Sequence, residues 1–335
     1  MKLISLDPAD NSMVDKVLAM SDETNVHDRD AFAQCRFQLR RLITSSSDTD
    51  ERHTIVAVDG DEVLGAALIM LPRHENRQMA QLGIMVGPRH RRRGVGGALL
   101  DSAVEVGHRH DRTVAVASTL FPKEGDTRWV DSRGFVTANG FAVALTLNVY
   151  RLDLTSSVAT EDRLWPEARD RSADYELITF TPPTPDDLAP GVLALAARVS
   201  TDVPHGDIEV EKPEIDVRRL RESEAEDEAQ GMIKRITIAR HRETRAFGGY
   251  TVLVLKSGVE DTADVGITLV DPDHRGHRLG LALKIEAQRQ LRRDCPQVRF
   301  IETGNADVNA AMLAINRDLG FELVGHVATV QKKLD

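Results

Sequence analysis

The sequence predicts an α/β (α+β) protein built from two copies of one domain in which strands and helices alternate. Three observations carry this. The chain has 335 residues, about twice the roughly 150 of an ordinary compact domain. It repeats internally: QLGIMVGPRHRRRGVGGALL (Gln81–Leu100) aligns with VGITLVDPDHRGHRLGLALK (Val265–Lys284), setting Val86 against Val270, Pro88 against Pro272, His90 against His274, Arg91 against Arg275 and Gly96 against Gly280. The repeat extends to Arg133–Phe135 and Leu319–Phe321 at nearly equal spacing, so it spans a supersecondary unit.

The elements follow in the same order in both halves. MKLISLD opens as a strand, Asn11–Met20 and Asp30–Ile43 have helical apolar spacing, and His53–Leu71 reads as strand, turn and strand about Asp59-Gly60, a dipeptide suited to a tight hairpin. Gln81–Val86 is a strand, Val95–His108 a helix, Thr113–Leu120 a strand, Thr127–Ser132 a short helix and Phe141–Leu152 a strand. In the second half Tyr175–Thr181 is a strand, Pro185–Val199 and Ile215–Met232 are helical, and Ile233–Arg240 pairs with Gly249–Leu255. Ala263–Val270, Leu279–Arg293, Val298–Thr303, Asn309–Leu319 and Phe321–Lys332 then repeat strand, helix, strand, helix, strand. The polar stretch between the halves lacks periodicity and suits a connector. The expected domains are therefore 1–154 and 174–335, joined by a linker over 155–173.

With 43 Lys+Arg against 53 Asp+Glu the net charge is −10, which argues against a nucleic-acid or anionic-membrane partner. Cys35 and Cys295 lie far apart, so neither a disulfide framework nor a thiolate zinc site is indicated, and a reducing cytoplasm is expected. The segment MKLISLDPADNSMVDK turns acidic too early for a signal peptide, and no apolar run reaches the roughly 18 residues of a membrane span. His108 and His110 sit in the polar tail of a helix and His205 in a turn. With no ligand cluster at metal spacing, no metal is expected.

Each half carries a strand, a proline, then an arginine- and glycine-rich turn opening a helix. Such a turn aims backbone N–H groups and a helix N-terminus at one point, which suits phosphate. Neither a Walker A loop nor a GxGxxG fingerprint is present. Arg91-Arg92-Arg93-Gly94-Val95-Gly96 resembles the (Arg/Gln)-x-x-Gly-x-(Gly/Ala) acetyl-CoA loop of the GNAT N-acetyltransferase family, and Val86, Pro88 and Leu99-Leu100 fit its flanks. Arg275-Gly276-His277-Arg278-Leu279-Gly280 departs from it by Arg278 in place of the first glycine. HRGHRLGLALK, Thr303–Ala306, Asn309, Met312, Asn316–Phe321 and Ser200–Glu222 nevertheless resemble two-domain actinobacterial GNAT proteins, so the likeness covers nearly the whole chain.

The resemblance implies two tandem GNAT folds, each a mixed, twisted sheet splayed at its fourth strand and flanked by helices. It implies a bacterial, cytoplasmic acyltransferase with acetyl-CoA as cosubstrate. The pantetheine arm would bond to Met85 and Val86 or to Leu269 and Val270. The pyrophosphate would meet Arg91, Arg92, Arg93, Gly94, Val95, Gly96 and Gly97, or Arg275, Gly276, His277, Arg278, Leu279 and Gly280, with Asn305 and Asn309 nearby. The acceptor would be a small-molecule amine, and oligomeric state is unreadable, a monomer with pseudo-dimeric domains being one arrangement.

Acetyl transfer to an amine needs a base, a polarised carbonyl and a proton for the thiolate. In the histone-modifying branch of the family a base carboxylate lies on the fourth strand, eleven positions before the loop. That count lands on Asp264 in the second half and on Ala80 in the first, where Gln81 next door could orient a water. Glu302 is a second candidate. Where many family members carry a tyrosine acid, this chain has Val130 and Asn316, and Asn316 can hydrogen-bond the sulfur or carbonyl but supplies no acidic proton. The second half is thus favoured for chemistry. The alternatives are a first half active through a water-mediated base and a non-catalytic CoA-binding module. The acidic stretch Asp207–Glu228 lies where the family places its acceptor-binding helix, and would attract a protonated amine or simply face solvent.

Overall fold

The computed structural model describes residues 1–28, 35–45, 48–125, 130–202, 216–306 and 309–334. These fall into two compact units, one built from Met1–Leu147 with Gly325–Leu334, the other from Asn148–Asp202 with Asp216–Val324.

In the first unit β1 (Lys2–Ser5), β2 (Asp50–Asp59), β3 (Glu62–Pro72), β4 (Met79–Val86) and β5 (Val114–Phe121) lie side by side in chain order. β1 to β4 pair antiparallel, and β4 pairs with β5 in parallel. The sixth place is filled from the end of the chain: His326–Lys333, within β12 (Glu322–Lys333), run antiparallel to Phe121–Val114. The helices are α1 (Asn11–Asp28), α2 (Arg36–Thr44), α3 (Val95–Arg109) and α4 (Val130–Ala138). Residues 29–34, at the start of the helix expected over Asp30–Ile43, and 127–129 of that expected over Thr127–Ser132 lie outside the described residues.

The second unit repeats the plan with β7 (Tyr175–Phe180), β8 (Met232–His241), β9 (Phe247–Lys256), β10 (Val259–Val270) and β11 (Phe300–Ala306). Its sixth place is held by Asn148–Asp153, the end of β6 (Ala142–Asp153). Its helices are α5 (Val158–Arg171), α6 (Ala189–Asp202), α7 (Val217–Ala229), α8 (Leu279–Asp294) and α9 (Ala310–Leu319). The units therefore divide at Leu147/Asn148 and Val324/Gly325, not at the expected 154 and 173. The expected connector is largely α5, held to α8 by the buried Glu161, whose carboxylate accepts hydrogen bonds from Arg292 at 2.6 and 3.2 Å and from the Ser157 hydroxyl at 2.7 Å. A helix fixed by a buried ion pair carries little apolar periodicity, which is why its sequence reads as a linker.

Both sheets are covered on two faces, and strand alternation sorts the side chains. Ile55 and Ala57 join Leu99, Leu100 and Ala103 of α3, whereas Val56 and Val58 join Val14, Val17 and Leu18 of α1 and Leu39 of α2. In the second unit Leu253 and Ala263 join Leu281 and Ile285 of α8, while Ile236, Ile238 and Val252 join Leu188, Val192 and Leu195 around α6. Burial on both faces explains the near-continuous apolar runs of the central strands. Among the described residues no helix is long and apolar enough to cross a membrane.

The fourth strand of each sheet parts from the fifth. β4 pairs with β5 only over Met79–Leu82, yet stays on β3 as far as Val86. β10 pairs with β11 only over Thr262–Asp264, yet stays on β9 as far as Val270. A glycine on the third strand faces the end of each: Gly65 opposite Val86, and Gly249 opposite Val270. A Cβ at Gly65 would lie 2.8 Å from the Met85 carbonyl oxygen, and one at Gly249 only 2.6 Å from that of Leu269. Glycine thus lets the fourth strand close onto the third while the fifth diverges.

This close approach and the burial behind it can both be tested by substitution. Gly65→Ala is expected to destabilise the protein by about 1–3 kcal/mol through backbone overpacking, seen as a lower denaturation midpoint. Gly83→Ala, whose Cβ would meet nothing nearer than 3.9 Å, leaves the midpoint almost unchanged. Lys284 of α8 is 3 % exposed, its ammonium has no hydrogen-bond partner among the described residues, and it lies 5.1 Å over the Phe321 ring. Burial pushes it from 10.5 down to about 7. Between those values the unfolded chain holds the proton and the folded chain does not, so stability rises as pH increases through this window. Lys284→Met is expected to raise stability at pH 7 by on the order of 1–4 kcal/mol and to abolish that rise, as read from denaturation midpoints at pH 7 and pH 10.

Candidate functional site

Beyond the parting of the strands, each fourth strand runs through a short 3₁₀ turn, Pro88–His90 or Pro272–His274, into the loop that opens α3 or α8. The turn is fastened the same way in both units: the Gly87 N–H donates to the Leu64 carbonyl at 3.0 Å, and the Asp271 N–H to that of Gly248 at 3.0 Å.

Each loop needs two left-handed residues. In the first they are Arg92 (φ 61°) and Gly94 (φ 83°), in the second Gly276 (φ 87°) and Arg278 (φ 54°). The glycine has changed places, and the backbone has kept its path. The departure at Arg278 is therefore accommodated, at the modest cost of a non-glycine residue in the left-handed region. Arg278 donates to Glu167 at 2.7 Å.

Both helices begin without a side-chain cap. The first intrahelical bonds run from Ala98 to Gly94 and from Ala282 to Arg278, so the N–H groups of Val95, Gly96 and Gly97, and of Leu279, Gly280 and Leu281, precede the hydrogen-bonded ladder. A Cβ built on Gly94, Gly97 or Gly276 meets nothing within 4 Å, so open space lies above the loop backbone. Uncapped N–H groups beside open space and cationic side chains fit the pyrophosphate of acetyl-CoA. Gly96 and Gly280 act differently. Their Cβ positions lie 3.1 Å from the Phe135 ring and 3.0 Å from Ile315, so glycine here serves helix packing.

The arginines divide by role. Arg91 is half-buried, donates to both Asp28 oxygens at 2.8 and 2.7 Å, and sends its Nε to the Val86 carbonyl at 3.2 Å. Burial works to raise the Asp28 carboxyl, but the hydrogen bonds and charge of Arg91 and His27 hold it below its ordinary value. Arg91 is thus a brace between α1 and the loop. The second unit makes the corresponding brace with charges reversed, Arg198 of α6 lying 3.1 Å from Asp271. Arg275 is exposed, with no acidic partner among the described residues, and so is Arg93. His277 packs 5.5 Å from the Tyr175 ring, and the Tyr175 hydroxyl lies 2.8 Å from His274 Nδ1. Met85 and Val86 are half-buried. Leu269 is a core residue, with Val270 packed beside Leu279.

The expected catalytic side chains lie around the head of the second splay. Asp264 and Glu302 face each other in register as the last parallel pair. Asp264 is ion-paired with Lys256. Glu302, 2 % exposed, accepts from Arg151 Nε at 2.8 Å and also from its Nη2. Asn316 is 1 % exposed, donates to Asn305 Oδ1 at 2.5 Å, and keeps its own Oδ1 buried without a hydrogen-bond partner among the described residues. Asn309 caps α9, accepting from the Met312 N–H at 3.3 Å. In the first unit Ala80 is fully buried in the core and Gln81 is exposed. The acidic stretch before Asp216 lies outside the described residues. Of the rest, Glu224 is tied to Thr184 and Arg221.

One grouping escaped sequence reasoning. The expectation of no histidine–carboxylate cluster at metal spacing is overturned by Glu51, His53 and His110, whose ligand atoms lie within 4.8 Å of one another. Only the alternation that puts Glu51 and His53 on one face of a strand was readable; the arrival of His110 was not.

Residues 18–122 match the family model described as Acetyltransferase (GNAT) family. A mycothiol acetyltransferase of Saccharomonospora viridis is 31 % identical over 256 residues, covering 74 % of this chain and 72 % of the relative. A tandem GNAT protein from the clavulanic acid biosynthesis pathway superposes with a TM-score of 0.81 at 26 % identity, over 100 % of this chain and 98 % of that one. A GCN5-related N-acetyltransferase from Sphaerobacter thermophilus shares the fold, with a TM-score of 0.66 at 13 % identity over 99 % and 95 % of the two chains. With the duplicated splay and its paired loops, identity at this level over this span places the chain in the GNAT family of acetyl-CoA-dependent acetyltransferases.

Proposed function

We propose that this protein transfers the acetyl group of acetyl-CoA directly to the amine of a small molecule, and that the second unit carries the chemistry. The observation that supports this is the position of Asp264, on the last residue pair before β10 leaves β11. The first unit has a core alanine at the matching place. Bound acetyl-CoA supplies a thioester carbon open to attack. Nitrogen forms the new C–N bond, the C–S bond breaks, the amine proton goes to a base, and the thiolate takes a proton from water or another donor.

Asp264 is the base in this reading, and its ion pair with Lys256 orients it. Glu302, itself buried, is a positioning residue through its pair with the partly exposed Arg151. Asn305 lies on β11 beyond its last pair with β10 and accepts from Asn316, whose own buried Oδ1, without a hydrogen-bond partner among the described residues, is in this reading the acceptor for the pantetheine amide or the acceptor amine. Arg275 and the N–H groups of Leu279 and Gly280 face the pyrophosphate. We assign the same cofactor to the loop of the first unit, through Arg93, Gly94 and Gly97. Its lack of a carboxylate at Ala80 makes it a holding site, and a water oriented by Gln81 is the second reading, favoured by the family-model match over residues 18–122. The acceptor class of the Saccharomonospora relative, named for mycothiol, is the first to test, followed by amino sugars, polyamines, arylalkylamines and amino acids.

Placing a carboxylate in each loop separates the readings. Gly276→Asp, at a position open to the loop, is expected to lower kcat/KM for CoA release by at least about 100-fold, while Gly97→Asp, equally open, removes one of two acetyl-CoA equivalents in a titration and leaves most turnover. Loss of turnover in Gly97→Asp alone overturns the assignment to the second unit. Asp264→Asn is expected to cost about 100-fold in kcat, read from steady-state CoA release. Full activity in that variant shows that Asp264 is not the base.

A further inference from the structure

At the far end of α3 from its cofactor loop, about 22 Å along the helix axis, the first unit gathers a side-chain cluster that acetyl transfer does not use. Glu51 and His53 alternate onto one face of β2, and His110 caps the C-terminus of α3. His53 Nε2 lies 2.9 Å and His110 Nδ1 3.7 Å from the same Glu51 oxygen, and the two imidazole rings are 5.0 Å apart at 57°. All three side chains are about one-third exposed: 36 % for Glu51, 31 % for His53 and 33 % for His110. Both histidines line a cleft of about 300 Å³ shared with Ser5, Ser102 and Arg109.

We propose that Glu51, His53 and His110 form a binding site for a zinc-class divalent transition metal. Two imidazoles and one carboxylate are a donor set for such ions, and three protein ligands leave a position for water. Metal–ligand bonds of about 2.0–2.2 Å put tetrahedral ligand atoms roughly 3.3–3.6 Å apart, and the observed 2.9 and 3.7 Å bracket that separation. No ligand atom is more than 4.8 Å from another, so small side-chain rotations bring all three onto one ion. The partial exposure gives the ion a path from solvent and a place for its water. The metal would tie β2 to the end of α3, two elements that a long stretch of chain separates, and so act as a clamp on the first unit remote from the acetyl-CoA loop. Magnesium is excluded as the ligand by its preference for an octahedron of oxygen donors.

Cobalt(II) titrated into the untagged full-length protein tests this by its visible d–d absorption. One equivalent per chain is expected, with an intense four- or five-coordinate band that zinc displaces and magnesium does not. His53→Gln and His110→Gln should each weaken cobalt binding by at least about tenfold, and circular dichroism and acetyl-CoA binding in both variants report whether the fold is intact. Zinc at 100-fold excess over its Kd should raise the Tm of the wild type by roughly 5 °C and leave that of the double variant unmoved. Absence of a cobalt band in the folded wild type, or a band of equal affinity in the folded double variant, overturns the proposal.

Discussion

The parting of a parallel strand pair is the constraint on which each unit's site depends. β4 cannot follow both of its neighbours. It stays hydrogen-bonded to β3 through Val86 while β5 is lost after Leu82, and β10 does the same between β9 and β11. Backbone groups at the end of the fourth strand are thereby left without a strand partner on one side, which a buried backbone does not tolerate without another hydrogen-bonding partner. Gly65 and Gly249 make the bend possible because a side chain at either would collide with a carbonyl of the fourth strand. The strand end, the 3₁₀ turn and the uncapped helix then follow one another without slack, so strand, loop and helix N-terminus converge on one cleft.

Within that frame the two loops show how a backbone path outlives the residues that once dictated it. The left-handed positions are two apart in both, but glycine occupies the second in one loop and the first in the other, and arginine takes the remaining place. A comparison by motif scores the second loop as defective, whereas the dihedral angles make it the same turn. The difference is chemical. Arg278 projects a side chain, paired with Glu167, from the position where Gly94 leaves open space. The α-helix-to-turn brace is likewise preserved with its charges exchanged, Asp28 to Arg91 in one unit and Arg198 to Asp271 in the other.

Pairing also governs the acids around the second splay. Glu302 is committed to Arg151, and its burial without that arginine would be strongly destabilising. Asp264 has a single ammonium partner on a flexible stem and is the more accessible of the two, with 16 % of its side chain exposed against 2 %. A partly exposed pair can exchange partners with solvent, whereas Glu302, which accepts from two Arg151 nitrogens on one oxygen, cannot do so without leaving a buried charge unpaired.

What the sequence determined by itself was local and periodic. The strand and helix order, the Asp59-Gly60 hairpin and the phosphate-type loops rest on contacts within a few positions of one another, the duplication shows in the repeat itself, and family resemblance added the splay. Asp264 and Glu302 were placed on their strands correctly, but their counter-ions, Lys256 and Arg151, were not legible, because nothing local selects a partner on another strand. The tertiary structure decided three further things. It gave the sixth strand of the first unit to the chain's last segment and that of the second to Asn148–Asp153, it made a helix of the apparent linker, and it brought His110 to Glu51 and His53. Each of these depends on surfaces that meet only after the chain has folded, and residues so far apart in sequence leave no periodic signal of their meeting.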